Sequence, residues 1–381
     1  MTIRTRGTIP SRAARNAALA AVLILCFLTA AVCEAQKTEN VILITYDGLR
    51  WQELFGGLDK RLLDPSAKAV KDAPALRRRF WADTPEERRE KLLPFFWGTI
   101  AKKGQVYGDP SKGSQGKVMN GRIFSYPGYN EILSGYPDER IDSNAKTPNQ
   151  NVTVLEWLSK HDGFEGKVAA FGSWDVFPYI INAERSGIPV NAGWMDLTES
   201  PDEDLLDSLN ELSREIPRYW GNVRYDLFTF HGAAEYLKKH KPRVLYVAFG
   251  ETDDWAHGRR YGLYLDSAWR TDDYIRRLWE LIQSMPEYAG KTSLVMTTDH
   301  GRGDTSEDWT GHGADTPGSD DIWIVVMGPD TPARGVVPDA AVTQGQVAAT
   351  VAALLGLDYV AAVPEAAKAI ETAVGEAGAS R

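Results

Sequence analysis

The chain has 381 residues, of which 43% are hydrophobic and 10% aromatic, so it can bury a substantial core as one large domain or two small ones. Charged residues make up 25%, which is ordinary for a globular protein, and the formal net charge at pH 7 is −9. This acidic balance excludes a general nucleic-acid binder, because such proteins carry clustered positive charge.

The first 35 residues have the pattern of a secretory signal peptide. "MTIRTRGTIPSRAAR" carries four arginines and no acid, an apolar run follows, and small residues end at Ala35. We therefore predict cleavage near Ala35, a periplasmic or secreted protein, and no stable membrane association after cleavage. An uncleaved anchor is the alternative, because the apolar run is about as long as a short transmembrane helix. A lipoprotein attached through Cys33 fits less well, since Val32 stands where a small residue is expected.

Cleavage at that point would change the composition of the mature chain. Both cysteines, Cys26 and Cys33, lie in the removed segment, so neither a disulfide nor a cysteine metal site is expected. The mature chain would keep 39 basic and 51 acidic residues, a net charge of −12. An anionic substrate would then need local positive charge, which a metal centre could supply.

The remaining sequence alternates between apolar strands and amphipathic helices. Strands that are apolar throughout and alternate with helices predict a three-layer α/β/α fold with a mostly parallel central sheet. The predicted strands cover residues 40–48, 166–172, 243–254, 291–301 and 321–328, and the helices cover residues 94–104, 152–163, 263–285 and 343–357.

Two stretches interrupt this alternation. Residues 58–93 are highly charged and expected to be helical, and residues 173–225 are rich in Trp, Pro, Asp and Glu. We interpret both as insertions that cap a site on the sheet edge, within a single catalytic domain of residues 36–381. Their charges are expected to face solvent.

Three of the predicted strands lead into acidic residues: Asp47, Asp253 and Asp299. In open α/β sheets, ligands bind beyond the carboxyl ends of the strands, so these acids are expected to share one edge. Asp253 precedes His257 by four residues, which places both on one face if the chain turns helical there. This spacing alone would suit a structural salt bridge equally well.

The segment "TTDHGRGDTSEDWTGHG" (297–313) adds two histidines, each followed by glycine. A polar surface loop is the ordinary explanation, but the acids on neighbouring strands favour a metal centre. Carboxylate and imidazole ligands suit zinc, and manganese or iron would also accept them. Six ligands exceed one tetrahedral site, so we predict two divalent ions a few ångströms apart. The six are Asp47, Asp253, His257, Asp299, His300 and His312.

A candidate nucleophile lies in "IFSYPGYNEILSG" (123–135). Ser125 comes two residues before Pro127, which fits the first turn of a helix. A hydroxyl there faces free backbone N–H groups that can hold a phosphate, and coordination to a metal would favour its alkoxide form. The ordinary alternative is that Ser125 only caps the helix.

These motifs, in this order, resemble the alkaline phosphatase superfamily of metalloenzymes, especially its nucleotide pyrophosphatase/phosphodiesterase-like and phosphoglyceromutase-like branches. The similarity spans residues 40 to about 330, from "NVILITYDGLRW" through "SYPGYNEILSG" and "DDWAHG" to "TTDHG" and "GHG". It implies one metal site formed by Asp47, Asp299, His300 and the oxygen of Ser125, and a second formed by Asp253, His257 and His312.

The resemblance implies an exported enzyme that hydrolyses phosphoric esters through a phosphoseryl intermediate on Ser125, as a phosphomonoesterase or a phosphodiesterase. The substrate would be a small phosphoric ester, with a nucleotide as one candidate, and the cofactors two zinc ions, with manganese as the alternative. Asn144 would hold a phosphate oxygen, and Asn149 is the other asparagine in range.

The sequence departs from one branch of this superfamily. Tyr129 stands where sulfatases place an arginine, four residues after the nucleophile. A sulfatase or phosphonate hydrolase is therefore the alternative activity. A non-catalytic protein stabilised by its metals is the alternative from another class, but a structural site does not need the hydroxyl of Ser125.

Overall fold

The structure, a computed structural model, describes residues 36–64 and 67–379, so the predicted signal segment at residues 1–35 lies outside the described residues. Ten β-strands are rich in apolar and β-branched residues, and the longest of them are buried from end to end. They are β1 Asn40–Tyr46, β2 Gln105–Tyr107, β3 Gln115–Lys117, β4 Val168–Gly172, β5 Val190–Ala192, β6 Val244–Phe249, β7 Thr292–Thr298, β8 Ile324–Met327, β9 Gly335–Val336 and β10 Ala341–Thr343.

Eight of these strands form one sheet in the order β5-β4-β6-β1-β7-β8-β2-β9, and β3 and β10 form a separate parallel pair. β1 lies in the middle and pairs in parallel with both β6 and β7. Tyr46 is opposite Phe249 on one side and Thr298 on the other. The residues that follow these three strands, including Asp47 and Asp299, therefore lie side by side at one edge of the sheet.

One strand runs against the others. β8 is antiparallel to both of its neighbours, β7 and β2, whereas the other pairings in the sheet are parallel. The sequence of β8 resembles that of the parallel strands, so its direction was not predicted. The reason is topological: the chain leaves β7 at the site edge and enters β8 from that same edge, without a crossover helix.

Helices cover both faces of the sheet, which confirms the predicted three-layer α/β fold. Alternate residues of β1 enter different cores: Ile42 and Ile44 pack with Leu265, whereas Val41 and Leu43 pack with Ile132 and its neighbours. The α-helices are Trp51–Gly56, Ala73–Phe80, Pro85–Leu92, Ala101–Lys103, Ser125–Ser134, Val154–Ser159, Phe177–Ile180, Ala183–Ser186, Glu203–Glu215, Asp226–His240, Glu251–His257, Tyr261–Ser284, Gln346–Leu354, Tyr359–Ala362 and Glu371–Ala379. Lys60–Leu63 and Pro110–Lys112 are 3-10 helices, and Phe96–Ile100 is a π-helix.

The two irregular stretches contain regular structure. Within residues 58–93, Asp72 caps the helix Ala73–Phe80, and a capping box formed by Thr84 and Glu87 starts the helix Pro85–Leu92. Apolar residues of this stretch, such as Phe80, pack into the core of the sheet, and its exposed positions are mostly charged. Residues 173–225 contain β5 and three helices. Within residues 36–64 and 67–379, no helix has both the length and the apolar character needed to cross a bilayer.

Candidate metal centre and nucleophile

Two buried carboxylates lie at the carboxyl ends of β1 and β7, and each has one oxygen without a hydrogen-bond partner among the described residues. The Tyr129 hydroxyl donates a hydrogen bond to Asp47 Oδ2 (2.9 Å), and the Gly48 N–H donates one to Asp299 Oδ1 (3.0 Å). Asp47 Oδ1 and Asp299 Oδ2 are buried and have no hydrogen-bond partner among the described residues. Because an unpaired buried carboxylate oxygen is unfavourable, the pair marks a position that fits a cation.

His300 faces both free oxygens. Its Nε2 atom lies 3.5 Å from Asp47 Oδ1 and 3.4 Å from Asp299 Oδ2. Its Nδ1 atom lies 2.9 Å from the Gly301 carbonyl oxygen, which can only accept, so Nδ1 carries the proton and Nε2 presents a lone pair. Burial lowers the pKa of His300 well below its usual value, with a further contribution from His312. A neutral imidazole whose lone pair faces two carboxylate oxygens fits a cation held between these three atoms.

The charges of this group agree with that assignment. Burial raises the pKa of Asp47, and repulsion from Asp299 raises it further. Burial also raises the pKa of Asp299, with an additional contribution from Asp253. Burial and the neighbouring carboxylates therefore oppose the ionisation of Asp47 and Asp299. A divalent cation would reverse this effect and keep them ionised.

A second group of ligands adjoins the first. The helix Glu251–His257 places His257 Nε2 3.2 Å from Asp253 Oδ2, as the four-residue spacing predicted. His312 Nε2 lies 3.7 Å from Asp253 Oδ1 and 3.0 Å from His257 Nε2. His312 Nδ1 donates to the Ile123 carbonyl oxygen (3.1 Å), so its Nε2 lone pair also points into the group. Burial lowers the pKa of His312 to about 4.

The two groups form one centre. The rings of His300 and His312 stack with centroids 3.8 Å apart, and His300 Nε2 lies 3.8 Å from Asp253 Oδ1. The structure therefore brings together all six residues that the sequence proposed as ligands. One side of the centre is open, because the His257 side chain is 47% exposed whereas the other five side chains are at most 14% exposed.

Ser125 lies at this centre, in the first turn of the helix Ser125–Ser134. The N-cap of that helix is Phe124 and makes no side-chain cap, so Ser125 does not act as the capping residue. The Ser125 hydroxyl oxygen is buried and lies 3.5 Å from His300 Nε2. Gly128 lets the helix approach this closely: a Cβ atom there would lie 2.3 Å from the Asp299 carbonyl oxygen.

Of the two asparagines considered for phosphate binding, Asn144 contacts the start of the Ser125 helix. Its side-chain oxygen accepts a hydrogen bond from the Tyr126 N–H (2.9 Å), and the residue is exposed. Asn149 is buried and donates to Asn130 and to the Ile180 carbonyl, so it belongs to the framework behind the helix.

Sequence reasoning missed a buried arginine beside the centre. Arg302 is fully buried and forms an ion pair with Asp253 Oδ1. Its other nitrogens donate to the carbonyl oxygens of Trp309 and Thr310, which fixes the guanidinium. Burial alone would raise the pKa of Asp253, but Arg302 and His257 hold it well below its usual value. The arginine in "DHGRGD" was visible, but only the fold shows that it points towards Asp253.

Comparisons based on sequence give no match: no family model matches the chain, and no curated protein does. Comparisons based on structure give many matches. The fold is shared with solved structures of an alkaline phosphatase, a lipoteichoic acid synthase and a sulfatase, which agrees with the fold that the motifs led us to expect.

Three solved structures illustrate the likeness. A mutant of the alkaline phosphatase PafA is 9% identical, with a TM-score of 0.59 over 89% of this chain and 99% of that one. The lipoteichoic acid synthase LtaP from Listeria monocytogenes is 13% identical, with a TM-score of 0.54 over 85% and 74%. A 2-O GAG sulfatase is 12% identical, with a TM-score of 0.51 over 87% and 73%. At these identities the likeness establishes the fold alone.

Proposed function

We propose that the protein is a two-metal hydrolase of phosphoric esters that acts through a phosphoseryl intermediate on Ser125. One observation carries the proposal: the Ser125 hydroxyl oxygen lies 3.5 Å from the same His300 nitrogen that faces two unpaired buried carboxylate oxygens. A structural metal site is closed and needs no hydroxyl at its rim, whereas a covalent mechanism requires one.

The side chains divide the work between them. Asp47, Asp299 and His300 would hold one divalent ion. The second ion would be held by Asp253, His257 and His312. When bound, two such ions lower the pKa of a coordinated hydroxyl and neutralise the charge that develops on the phosphoryl oxygens. Ser125 forms a bond to phosphorus while the bond to the leaving oxygen breaks, and water then hydrolyses the phosphoserine. Zinc is our proposed metal, with manganese as the alternative.

The first turn of the Ser125 helix supplies the remaining contacts. Backbone N–H groups at a helix N-terminus favour a phosphate, and Asn144 lies against the Tyr126 N–H in that turn. Its exposed side-chain amide is our candidate for holding a phosphoryl oxygen. Because His257 lies on the open side, we propose that the ester enters past that residue.

Sulfate esters are the main competing substrates, because a sulfatase is among the structures with this fold. Tyr129 favours phosphate: it stands where sulfatases place an arginine, and its hydroxyl is engaged by Asp47. The phosphatase PafA and the synthase LtaP share the fold to a similar degree, and we propose a phosphoric monoester or diester for this chain, with a nucleotide as one candidate.

Three substrates test the activity directly. We expect zinc-loaded protein to hydrolyse nitrophenyl phosphate or bis-nitrophenyl phosphate, and a chelator to abolish turnover. Nitrophenyl sulfate should be hydrolysed more slowly. Faster sulfate turnover would support a sulfatase instead, and no turnover of the three compounds would support a binding protein.

The nucleophile has a matched control in its own helix. Ser125→Ala should reduce kcat to background while the thermal midpoint stays close to that of the wild type. Ser134→Ala removes a buried hydroxyl that only donates to the Asn130 and Tyr136 carbonyls, so it should keep activity. His257→Ala should also lower zinc content, measured by atomic emission. Near-normal turnover by Ser125→Ala would rule out the covalent mechanism.

We also propose export with cleavage near Ala35, from the charged, apolar and small-residue order of residues 1–35. Expression of the full chain in a bacterium, followed by N-terminal sequencing of the protein from the periplasm and medium, tests this. A start at Gln36 is expected. Retention of the whole N-terminus in the membrane fraction would support the uncleaved anchor.

A further inference from the structure

A basic cavity lies beside the candidate metal centre. It opens where the helix Glu251–His257 ends and the helix Tyr261–Ser284 begins, so its wall starts directly after the ligand His257. Its volume is about 410 Å³. The charged residues in its lining are Lys68, Lys71, Arg259, Arg260, Asp72 and Asp266.

The two acids in the lining are engaged elsewhere. Asp72 accepts a hydrogen bond from the Ala75 N–H (2.9 Å) as the cap of its helix, and Asp266 forms an ion pair with Arg79, which is outside the lining. By contrast, the four cations of the cavity form no ion pair with another described residue. The ion pairs nearby involve other cations, such as Arg61, Arg79 and Arg302. The lining therefore carries four cations and two acids, a net charge of +2, and none of its cations is neutralised by an ion pair with a described residue.

Hydrogen bonds tie the walls of the cavity together. The Tyr261 N–H donates to the Ala69 carbonyl (3.1 Å), and Arg259 donates to the Glu307 carbonyl (3.1 Å) in the loop that carries His312. Lys68 and Arg259 have positive φ values of 49° and 53°, which are uncommon for residues with a side chain. Such strain persists only where the surrounding structure holds it, and it is concentrated at binding sites.

The start of a long helix adds to the charge. The helix Tyr261–Ser284 has 24 residues, and its first turn lines the cavity through Gly262 and Leu263. The positive end of a helix dipole attracts anions. The chain has a net charge of −9, whereas the lining of this cavity has a net charge of +2 and includes the start of this helix.

From this geometry we propose that the cavity binds an anionic group of the substrate that is remote from the ester. The substrates would then be esters that carry a second phosphate, sulfate or carboxylate, bound between the metal centre and Lys68, Lys71, Arg259 and Arg260. This inference rests on the proposed hydrolase function, because it assigns the cavity to the same substrate.

Binding is tested without turnover. The probe is 8-methoxypyrene-1,3,6-trisulfonate, a fluorescent trianion with no ester to hydrolyse, titrated into zinc-loaded full-length protein. We expect Lys71→Glu and Arg260→Glu each to weaken binding at least tenfold, and the binding constant to fall steeply with salt. Glutamate at position 260 lies at a helix start, where an acid is tolerated, so folding should persist. Lys102→Glu is the charge-matched control on an exposed helix outside the lining. Equal weakening by Lys102→Glu overturns the proposal.

Kinetics connect the cavity to the substrate. Phosphate release is measured from fructose 6-phosphate and fructose 1,6-bisphosphate, which differ by one phosphate. In the wild type the bisphosphate should have the lower KM. Lys71→Glu or Arg260→Glu should raise the KM for the bisphosphate, relative to the KM for the monophosphate, at least fivefold. The Lys102→Glu control should leave that ratio unchanged.

The outcomes separate this inference from the proposed function. Probe binding that depends on the cavity, together with an unchanged KM ratio, would identify an independent anion site and overturn the substrate assignment. If no ester is turned over while the probe still binds through the cavity, the hydrolase proposal fails, and the assignment of the cavity to its substrate fails with it.

Discussion

Each carboxylate of the centre is held by a donor on one oxygen, and at Asp47 and Asp299 the other oxygen faces His300. Tyr129 holds Asp47, the Gly48 N–H holds Asp299, and Arg302 holds Asp253. Donors of this kind orient metal ligands and set their charge before the metal binds. The three donors were not apparent from the sequence, because each one is distant along the chain from the carboxylate to which it donates.

Arg302 gives a prediction at the level of one side chain. Arg302→Gln should weaken zinc binding by about 10–100-fold, because Asp253 would lose the charge that keeps it ionised and oriented. Arg302→Lys, which keeps the charge, should recover part of the loss. Zinc affinity is measured by competition with a chromogenic chelator.

The control for this prediction is Arg224→Gln. Arg224 is also buried, but it donates to Thr229 and Asn191 and not to a ligand. Arg224→Gln should lower the free energy of unfolding without changing the affinity for zinc. Equal zinc affinity in Arg302→Gln and the wild type would show that Arg302 serves only the packing of its loop.

At the scale of one helix, the distance between the Ser125 helix and β7 is set at Gly128. Alanine favours a helix over glycine by up to about 1 kcal/mol, but its Cβ would lie 2.3 Å from the Asp299 carbonyl oxygen. Gly128→Ala should therefore push the helix outwards and reduce kcat by about 100-fold, as a displacement near 1 Å can do. In Gly98→Ala, a Cβ meets no atom within 4 Å, so activity should persist. Full activity in Gly128→Ala would contradict this.

Asp272 gives a pH prediction for another helix. It accepts hydrogen bonds from the N–H groups of Phe95 (2.7 Å) and Phe96 (2.9 Å), and burial raises its pKa from 3.8 to about 7. Because the folded-state pKa is above the unfolded value, the stability that Asp272 contributes is complete below about pH 4 and is lost as the pH rises through about 7.

Asp272→Asn keeps one acceptor and cannot ionise. It should lower the free energy of unfolding by about 1–3 kcal/mol at pH 5, and that penalty should shrink by roughly 2 kcal/mol at pH 8. Urea denaturation at the two pH values measures both numbers. Asp273→Asn is the control, because Asp273 is only half-buried and is paired with Arg276. A penalty that is the same at pH 5 and pH 8 would show that Asp272 is not the group that titrates.

The elements that the sequence predicted are the long ones. Apolar runs located β1, β4, β6, β7 and β8, and amphipathic patterns located the helices within residues 94–104, 152–163, 263–285 and 343–357, because both patterns repeat over several residues. The strands β2, β3, β5, β9 and β10 have only two or three residues and carry no period. The direction of β8 depends on a loop and not on its own residues, so its sequence could not reveal it.

At the scale of the whole molecule, the centre depends on contacts between segments that are far apart in the sequence. Its candidate ligands begin at Asp47 and end at His312, and they meet only when β1 has paired with both β6 and β7. The order of the motifs along the chain predicted which residues meet. It did not predict the stacking of His300 on His312 or the open side at His257, which follow from the loop after β7.

Metal removal should therefore loosen the whole fold. Ligands that bind only the folded state stabilise it by about 2.7 kcal/mol when present at 100 times their Kd. A chelator should lower the thermal midpoint by several degrees and cut the free energy of unfolding by at least that amount. Asp299→Ala, which lacks one site, should show a smaller chelator effect. An unchanged midpoint would mean that the centre does not hold metal at working concentrations.

The reversed strand β8 has a consequence for how this scaffold can diversify. The excursion between β7 and β8 starts and finishes on the same rim, and it is braced internally by the Gly301 N–H to the Ser319 carbonyl and the Gly303 N–H to the Gly311 carbonyl. Lengthening or changing the outer portion of this excursion would reshape the open side of the centre and leave the sheet and helices beneath it intact. New substrate specificities could therefore evolve through changes in this excursion, while β7 and β8 keep their places in the sheet.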